Sequence, residues 1–125
     1  MKTIYKYGIN TGITSIALPK RSKIFSANYD ANGVLSVWAA VDTEEEEIEE
    51  RFVYLTGTGW PLEDLKDWNY RFIDTVIDEN NGLVWHVFEL EEIKWWDWVV
   101  TSKDRYIFHI PPNSIKENYE VNIND

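Results

Sequence analysis

The side chains of this 125-residue chain that could carry chemistry are few: a glycine-rich turn, two histidines, scattered carboxylates and a run of tryptophans. Gly57-Thr58-Gly59 invites a phosphate-binding loop. Such a loop needs a following Gly-Lys-Ser/Thr, whereas Trp60-Pro61 follows here and proline has no amide to offer a phosphate. The segment therefore reads as a tight turn. His86 and His109 are expected on different strands with no carboxylate at ligand spacing. Zinc or acid–base work would need the fold to bring both together with an acid, so each reads as a strand histidine with a hydrogen-bonded ring. Asp74 with Asp78, Glu89 with Glu91 and Glu92, and Asp97 are the carboxylate groupings. A hydrolase would need two carboxyls flanking one bond with their pKa values pushed apart, and no grouping is marked out for that. No Gly-x-Ser-x-Gly is present, and the absence of cysteine removes disulfides, zinc knuckles and thiol nucleophiles. No catalytic residue, metal ligand or cofactor is assigned, and the chain is read as a non-enzyme.

Trp95-Trp96-Asp97-Trp98 is the least ordinary feature. A strand alternates its side chains and a helix spreads them, so three tryptophans in four residues cannot all enter one core. Exposed tryptophan favours an interface. The binding surface is accordingly assigned to Trp95, Trp96 and Trp98, with Lys103 and Arg105 at its rim; the alternative is a latch packing these rings over an open end of a barrel. Aromatics beside Lys20-Arg21-Ser22-Lys23 or Lys103-Asp104-Arg105 could also stack a base and hold its phosphates. The net charge of −10 disfavours long nucleic acid but leaves room for a small nucleotide.

That charge is segregated. Residues 1–29 carry Lys2, Lys6, Lys20, Arg21 and Lys23 and no acid, while Asp42–Glu50 holds seven acids and no base. Mutual repulsion predicts a solvated loop or short frayed helix there, mobile and dispensable for folding. Its simplest role is solubility; a row of carboxylates can also imitate nucleic-acid phosphates, although one loop is too short for a duplex mimic.

The elements that must position these residues are short β-branched and aromatic runs, cut by turns roughly every ten residues. Strands are predicted at Thr3–Tyr7, Thr14–Leu18, Lys23–Tyr29, Val34–Val41, Arg51–Thr56, Tyr70–Ile77 and Leu83–Leu90. A last hairpin is predicted from Trp95–Val100 and Tyr106–Ile110. Asp30-Ala31-Asn32-Gly33 and Glu79-Asn80-Asn81-Gly82 are turns. Pro61–Leu65 is the best helical turn. Val34–Val41, apolar on both faces, reads as a central strand covered on both sides. The core is expected from Trp38, Phe52, Tyr54, Phe72, Trp85, Val87 and Phe88. The fold class is all-β or β-dominated: a small antiparallel sandwich or barrel of about seven to nine short strands with one or two helical turns. One domain is drawn over residues 1–112 and a polar tail over 113–125. No apolar run is long enough to span a membrane, and the N-terminus lacks a signal-peptide pattern.

Met1-Lys2-Thr3-Ile4-Tyr5-Lys6-Tyr7, Leu18-Pro19 with Lys23-Ile24, Val37-Trp38-Ala39 with Val41-Asp42, Thr56-Gly57-Thr58-Gly59 with Pro61, and Gly82 through Glu89 together resemble a family of small tailed-phage proteins of unassigned function. Order and spacing match over residues 1–89; members end near Glu89, so Leu90–Asp125 departs from the pattern. The resemblance implies phage origin and a place in the host cytoplasm, and carries no catalytic signature. The expected role is an accessory protein that binds and blocks a host factor of anti-phage defence. A sponge for a small signalling nucleotide and a minor structural or assembly protein docking by a sheet edge are the alternatives, and a homo-oligomer is compatible with each.

Overall fold

The computed structural model describes residues 1–92. Within them lie seven strands: β1 Lys2–Gly8, β2 Gly12–Pro19, β3 Lys23–Tyr29, β4 Leu35–Asp42, β5 Ile48–Gly57, β6 Trp68–Ile77 and β7 Val84–Glu92. They form a three-stranded sheet ordered β1-β4-β3 and a four-stranded sheet ordered β2-β5-β7-β6. Of the β-dominated sandwich or barrel expected from the alternating runs, the described residues form the two-sheet sandwich, each of the first seven predicted strands having its counterpart. The Pro61–Leu65 turn is a single 3-10 turn at Glu63–Leu65. The chain divides into two units, one of residues 1–61 with 70–90 and one of residues 62–69 with 91 onward. The predicted hairpin of Trp95–Val100 with Tyr106–Ile110, the 112/113 boundary and the polar tail lie outside the described residues.

The core of the first unit is aliphatic. Ile16 and Leu18 from β2, Ile24 from β3, Val37, Ala39 and Val41 from β4, Val53 and Leu55 from β5, Ile73 and Val76 from β6 and Val87 from β7 are all buried in one cluster. Register explains the choice. Val37 faces Tyr7 on β1 and Ala27 on β3, while its neighbour Trp38 faces Lys6 and Ser26 on the opposite side of the sheet. The expected core residues Trp38, Phe52 and Phe88 are therefore only half-buried and Phe72 is 55% exposed; Tyr54 and Val87 are buried, and Trp85 packs partly against the core. The gap between two sheets spaced about 10 Å apart is filled by branched aliphatics, and the period-2 phase sends most aromatics outward. β4 is central as predicted, but its outward face is not fully covered, since Ala40 is exposed.

One edge of the sandwich is closed by side chains. A register shift between Ile24 and Ser26 interrupts the β3–β4 ladder at Phe25. Residues of β6 meet the β3 backbone there: Arg71 donates to the Ile24 carbonyl at 2.9 Å and Asp74 accepts the Ala27 amide at 3.1 Å. Tyr29, at the end of β3, donates its hydroxyl to Asp78 at 3.1 Å. The Asp30–Gly33 turn forms as read, with Gly33 at φ +78° and the Asp30 carboxylate accepting the amides of Asn32 and Val34.

The middle of the acidic run is a solvated loop, as expected, but its ends belong to strands. Asp42 ends β4, Glu49 and Glu50 lie within β5, and only Thr43–Glu47 connects the two strands. Part of its charge is compensated by the basic start of the chain: Lys20 meets Glu47 at 3.1 Å, Arg21 meets Glu45 at 2.8 Å and the N-terminal ammonium meets Glu44 at 2.8 Å. Segregation along the sequence becomes partial pairing in space, and Thr43–Glu47 forms the β4–β5 connection.

Candidate functional site

Two Gly-x-x-Trp segments, Gly57-Thr58-Gly59-Trp60 and Gly82-Leu83-Val84-Trp85, end up side by side at one end of the four-stranded sheet. β5 and β7 pair with Gly57 opposite Trp85, and the Thr58 amide continues the contact by donating to the Val84 carbonyl at 3.1 Å. Gly59 at φ +83° turns the chain, and the Trp60 amide closes the turn on the Gly57 carbonyl at 3.1 Å. Trp60 then folds back over Gly57 so closely that a Cβ there would come within 2.8 Å of the indole. The two indoles meet edge to face, centroids 5.3 Å apart and planes at 81°. Gly57, Thr58, Trp60, Gly82, Leu83, Val84 and Trp85 thus enclose a pocket of about 230 Å³. Trp60 and Leu83 are each 45% exposed, so its mouth is open and apolar.

The second wall rests on the β6–β7 turn, where Asp78 and Leu83 pair and the Gly82 amide donates to the Asp78 carbonyl at 2.8 Å. Asp78 also holds Tyr29, whose phenol burial pushes above its usual value, with the Asp78 carboxylate reinforcing the rise. The Trp85 indole N–H is buried without a hydrogen-bond partner, and its influence on the Tyr29 phenol opposes the rise.

His86 adjoins the pocket. Its Nε2 lies 2.6 Å from the Thr58 hydroxyl and its Nδ1 3.2 Å from the Thr75 hydroxyl. The ring is hydrogen-bonded on a strand, as read from the sequence. A hydroxyl–imidazole contact can deprotonate a nucleophile when a carboxylate stabilises the imidazolium; here the third group is a hydroxyl, so the contact fixes the Thr58 turn. His109 lies outside the described residues.

Of the carboxylates singled out in the sequence, Asp74, Asp78 and Glu89 act as clamps, and Asp97 lies outside the described residues. Asp74 and Asp78 hold β3. Glu89 sits between Arg51 and Arg71, at 2.7 Å from the latter, with its side chain 12% exposed. Arg51 also donates to the Ser22 carbonyl at 2.7 Å and to Glu49 at 3.1 Å. Burial works against the Arg51 charge, but the contacts with Glu89 and Glu49 outweigh it and hold the guanidinium above its ordinary pKa. Among the described residues no three His, Cys, Asp or Glu side chains come together as a metal site.

Trp95, Trp96, Trp98, Lys103 and Arg105, the binding residues assigned from the sequence, lie outside the described residues, as does the Lys103-Asp104-Arg105 cluster. In the other basic cluster, Lys20 and Arg21 face Glu47 and Glu45. Sequence reasoning missed Trp60 and placed Trp85 wholly in the core. The signal was present in the repeated Gly-x-x-Trp at two strand ends, but a turn read alone does not show that a second will stand beside it.

The family model described as a domain of unknown function, DUF7352, matches residues 1–97, which include every residue of the pocket. No curated protein and no solved structure gives a significant match.

Proposed function

We propose that this chain, which belongs to the DUF7352 family, is a binding protein without catalysis of its own that captures a host protein by seating one of that partner's side chains in the pocket beside the Trp60–Trp85 pair. The pocket carries this reading. It is preformed, apolar and open, and about 230 Å³ accommodates one side chain rather than an extended ligand. Tryptophan-lined pockets of this kind act as anchors at protein interfaces. The resemblance to small tailed-phage proteins supplies the setting: an accessory protein in the host cytoplasm that blocks a factor of anti-phage defence.

The nucleotide-sponge reading has less behind it. Lys20 and Arg21 already face glutamates, and the two segments that build the pocket, residues 57–61 and 78–85, carry Asp78 and Glu79 and no base to hold a phosphate.

The test is affinity purification from host lysate with the wild-type chain and Trp60→Ala, followed by mass spectrometry of bound proteins and extracted nucleotides. One protein retained by the wild type, lost with Trp60→Ala, and re-formed as a complex from purified components is the expected result. A nucleotide as the retained species, or a protein retained equally by both chains, overturns it.

A further inference from the structure

We infer that the side chain taken by the Trp60/Trp85 pocket is cationic, a lysine or arginine on a basic surface of the partner. This inference rests on the pocket being the anchor site.

Three features point the same way. Two indoles at 81° to each other are among the lining residues, and an indole face left open by their edge-to-face contact carries the negative end of the ring quadrupole and attracts a positive charge. The charged residues of the two segments are acids, Asp78 and Glu79, both within the turn that carries Gly82 and Leu83. Asp78 is engaged by Tyr29 and by the Asn80 amide, whereas Glu79 is exposed. Finally, a chain with net charge −10 attracts basic surfaces before contact and repels acidic ones. A neutral aliphatic group would gain from the apolar walls alone. An ammonium or guanidinium gains from those walls through its alkyl stem and from ring and acid through its head.

The experiment uses the full chain labelled with ¹⁵N and follows the indole N–H signals of Trp60 and Trp85, assigned with Trp60→Ala and Trp85→Phe. Choline is titrated against its uncharged isostere 3,3-dimethyl-1-butanol, with adenosine monophosphate as an anionic planar probe. Choline is expected to move both signals saturably and to bind about tenfold more tightly than the isostere, a ratio within the range of cation–π contacts. Trp60→Ala should abolish the shifts and Glu79→Gln should weaken them. Equal or tighter binding of the neutral isostere overturns the charge preference and leaves the pocket standing. Shifts from adenosine monophosphate alone overturn both in favour of a nucleotide site. If no probe moves either signal, the pocket is not a ligand site and the anchor reading falls with it.

Discussion

Replacing Glu89 by glutamine tests how the two sheets are held together. The carboxylate accepts from both Arg51 and Arg71, and those arginines reach on to the Ser22 and Ile24 carbonyls at the β3 end of the other sheet. The Arg51 arm is sheltered, with 18% and 12% of the two side chains exposed; the Arg71 side chain is 52% exposed. A sheltered charge-assisted hydrogen bond contributes about 1.5–3 kcal/mol. Solvent screening reduces the outer arm to about 0.5 kcal/mol. Glutamine also leaves the Arg51 guanidinium without its countercharge, so the expected cost is about 2–4 kcal/mol, a large share of the roughly 5–15 kcal/mol that stabilises a domain. At a urea slope of about 1.5 kcal/mol/M the midpoint should fall by roughly 2 M. Arg51→Met should cost more than Arg71→Met. A Glu89→Gln loss below about 1 kcal/mol, or the reverse order of the two arginines, would refute the argument that burial sets the strength of this clamp.

Trp60→Ala should cost about 1–2 kcal/mol because the ring is 45% exposed and packs on Gly57 and Trp85, whereas Trp85→Ala, packed against the core, should cost about 2–3 kcal/mol in urea unfolding. Gly57→Ala should displace the Trp60 ring, seen as altered near-UV circular dichroism and loss of choline-induced shifts, since the new Cβ falls 2.8 Å from it. Lys6 and the Val34 amide hold Asp30 below the usual carboxylate range, and the Glu44 amide does so for Asp42, so their stabilisation is full above about pH 4 and is lost as pH falls through those lowered values. Tyr29, raised by burial and Asp78, contributes below about pH 10 and ceases to as pH rises through its raised value. Urea midpoints across pH check both limbs, and an acid limb unchanged by Asp30→Asn would contradict the first. Glu45→Gln with Glu47→Gln removes two exposed ion pairs and should shift stability by no more than about 1 kcal/mol, whereas excising Glu44–Glu47 should be far more costly because it severs the β4–β5 connection.

Local rules written into the sequence determined the strands and turns. β-branched and aromatic runs form strands wherever their neighbours in the sheet are, and Asp30–Gly33 turns because Asp30 and Gly33 act within a few residues of each other. The phase of each strand was not legible in the same way. Val34–Val41 is apolar at nearly every position, so nothing in it tells Val37 from Trp38; register against Tyr7 and Ala27 sends the first inward and the second outward. The pairing of the acids was hidden for the same reason, since distance along the chain is not distance in space. Acids that repel one another in isolation lie against Lys20, Arg21 and the N-terminus once β1 has paired with β4 and β2 with β5. The pocket is the extreme case. Trp60 and Trp85 are 25 positions apart, and each by itself is a tryptophan at a strand end. Only the β5–β7 register, Gly57 opposite Trp85, brings one indole onto the edge of the other. Short-range preferences fix the elements, but a site made by two turns exists only after long-range pairing has chosen which turns are neighbours.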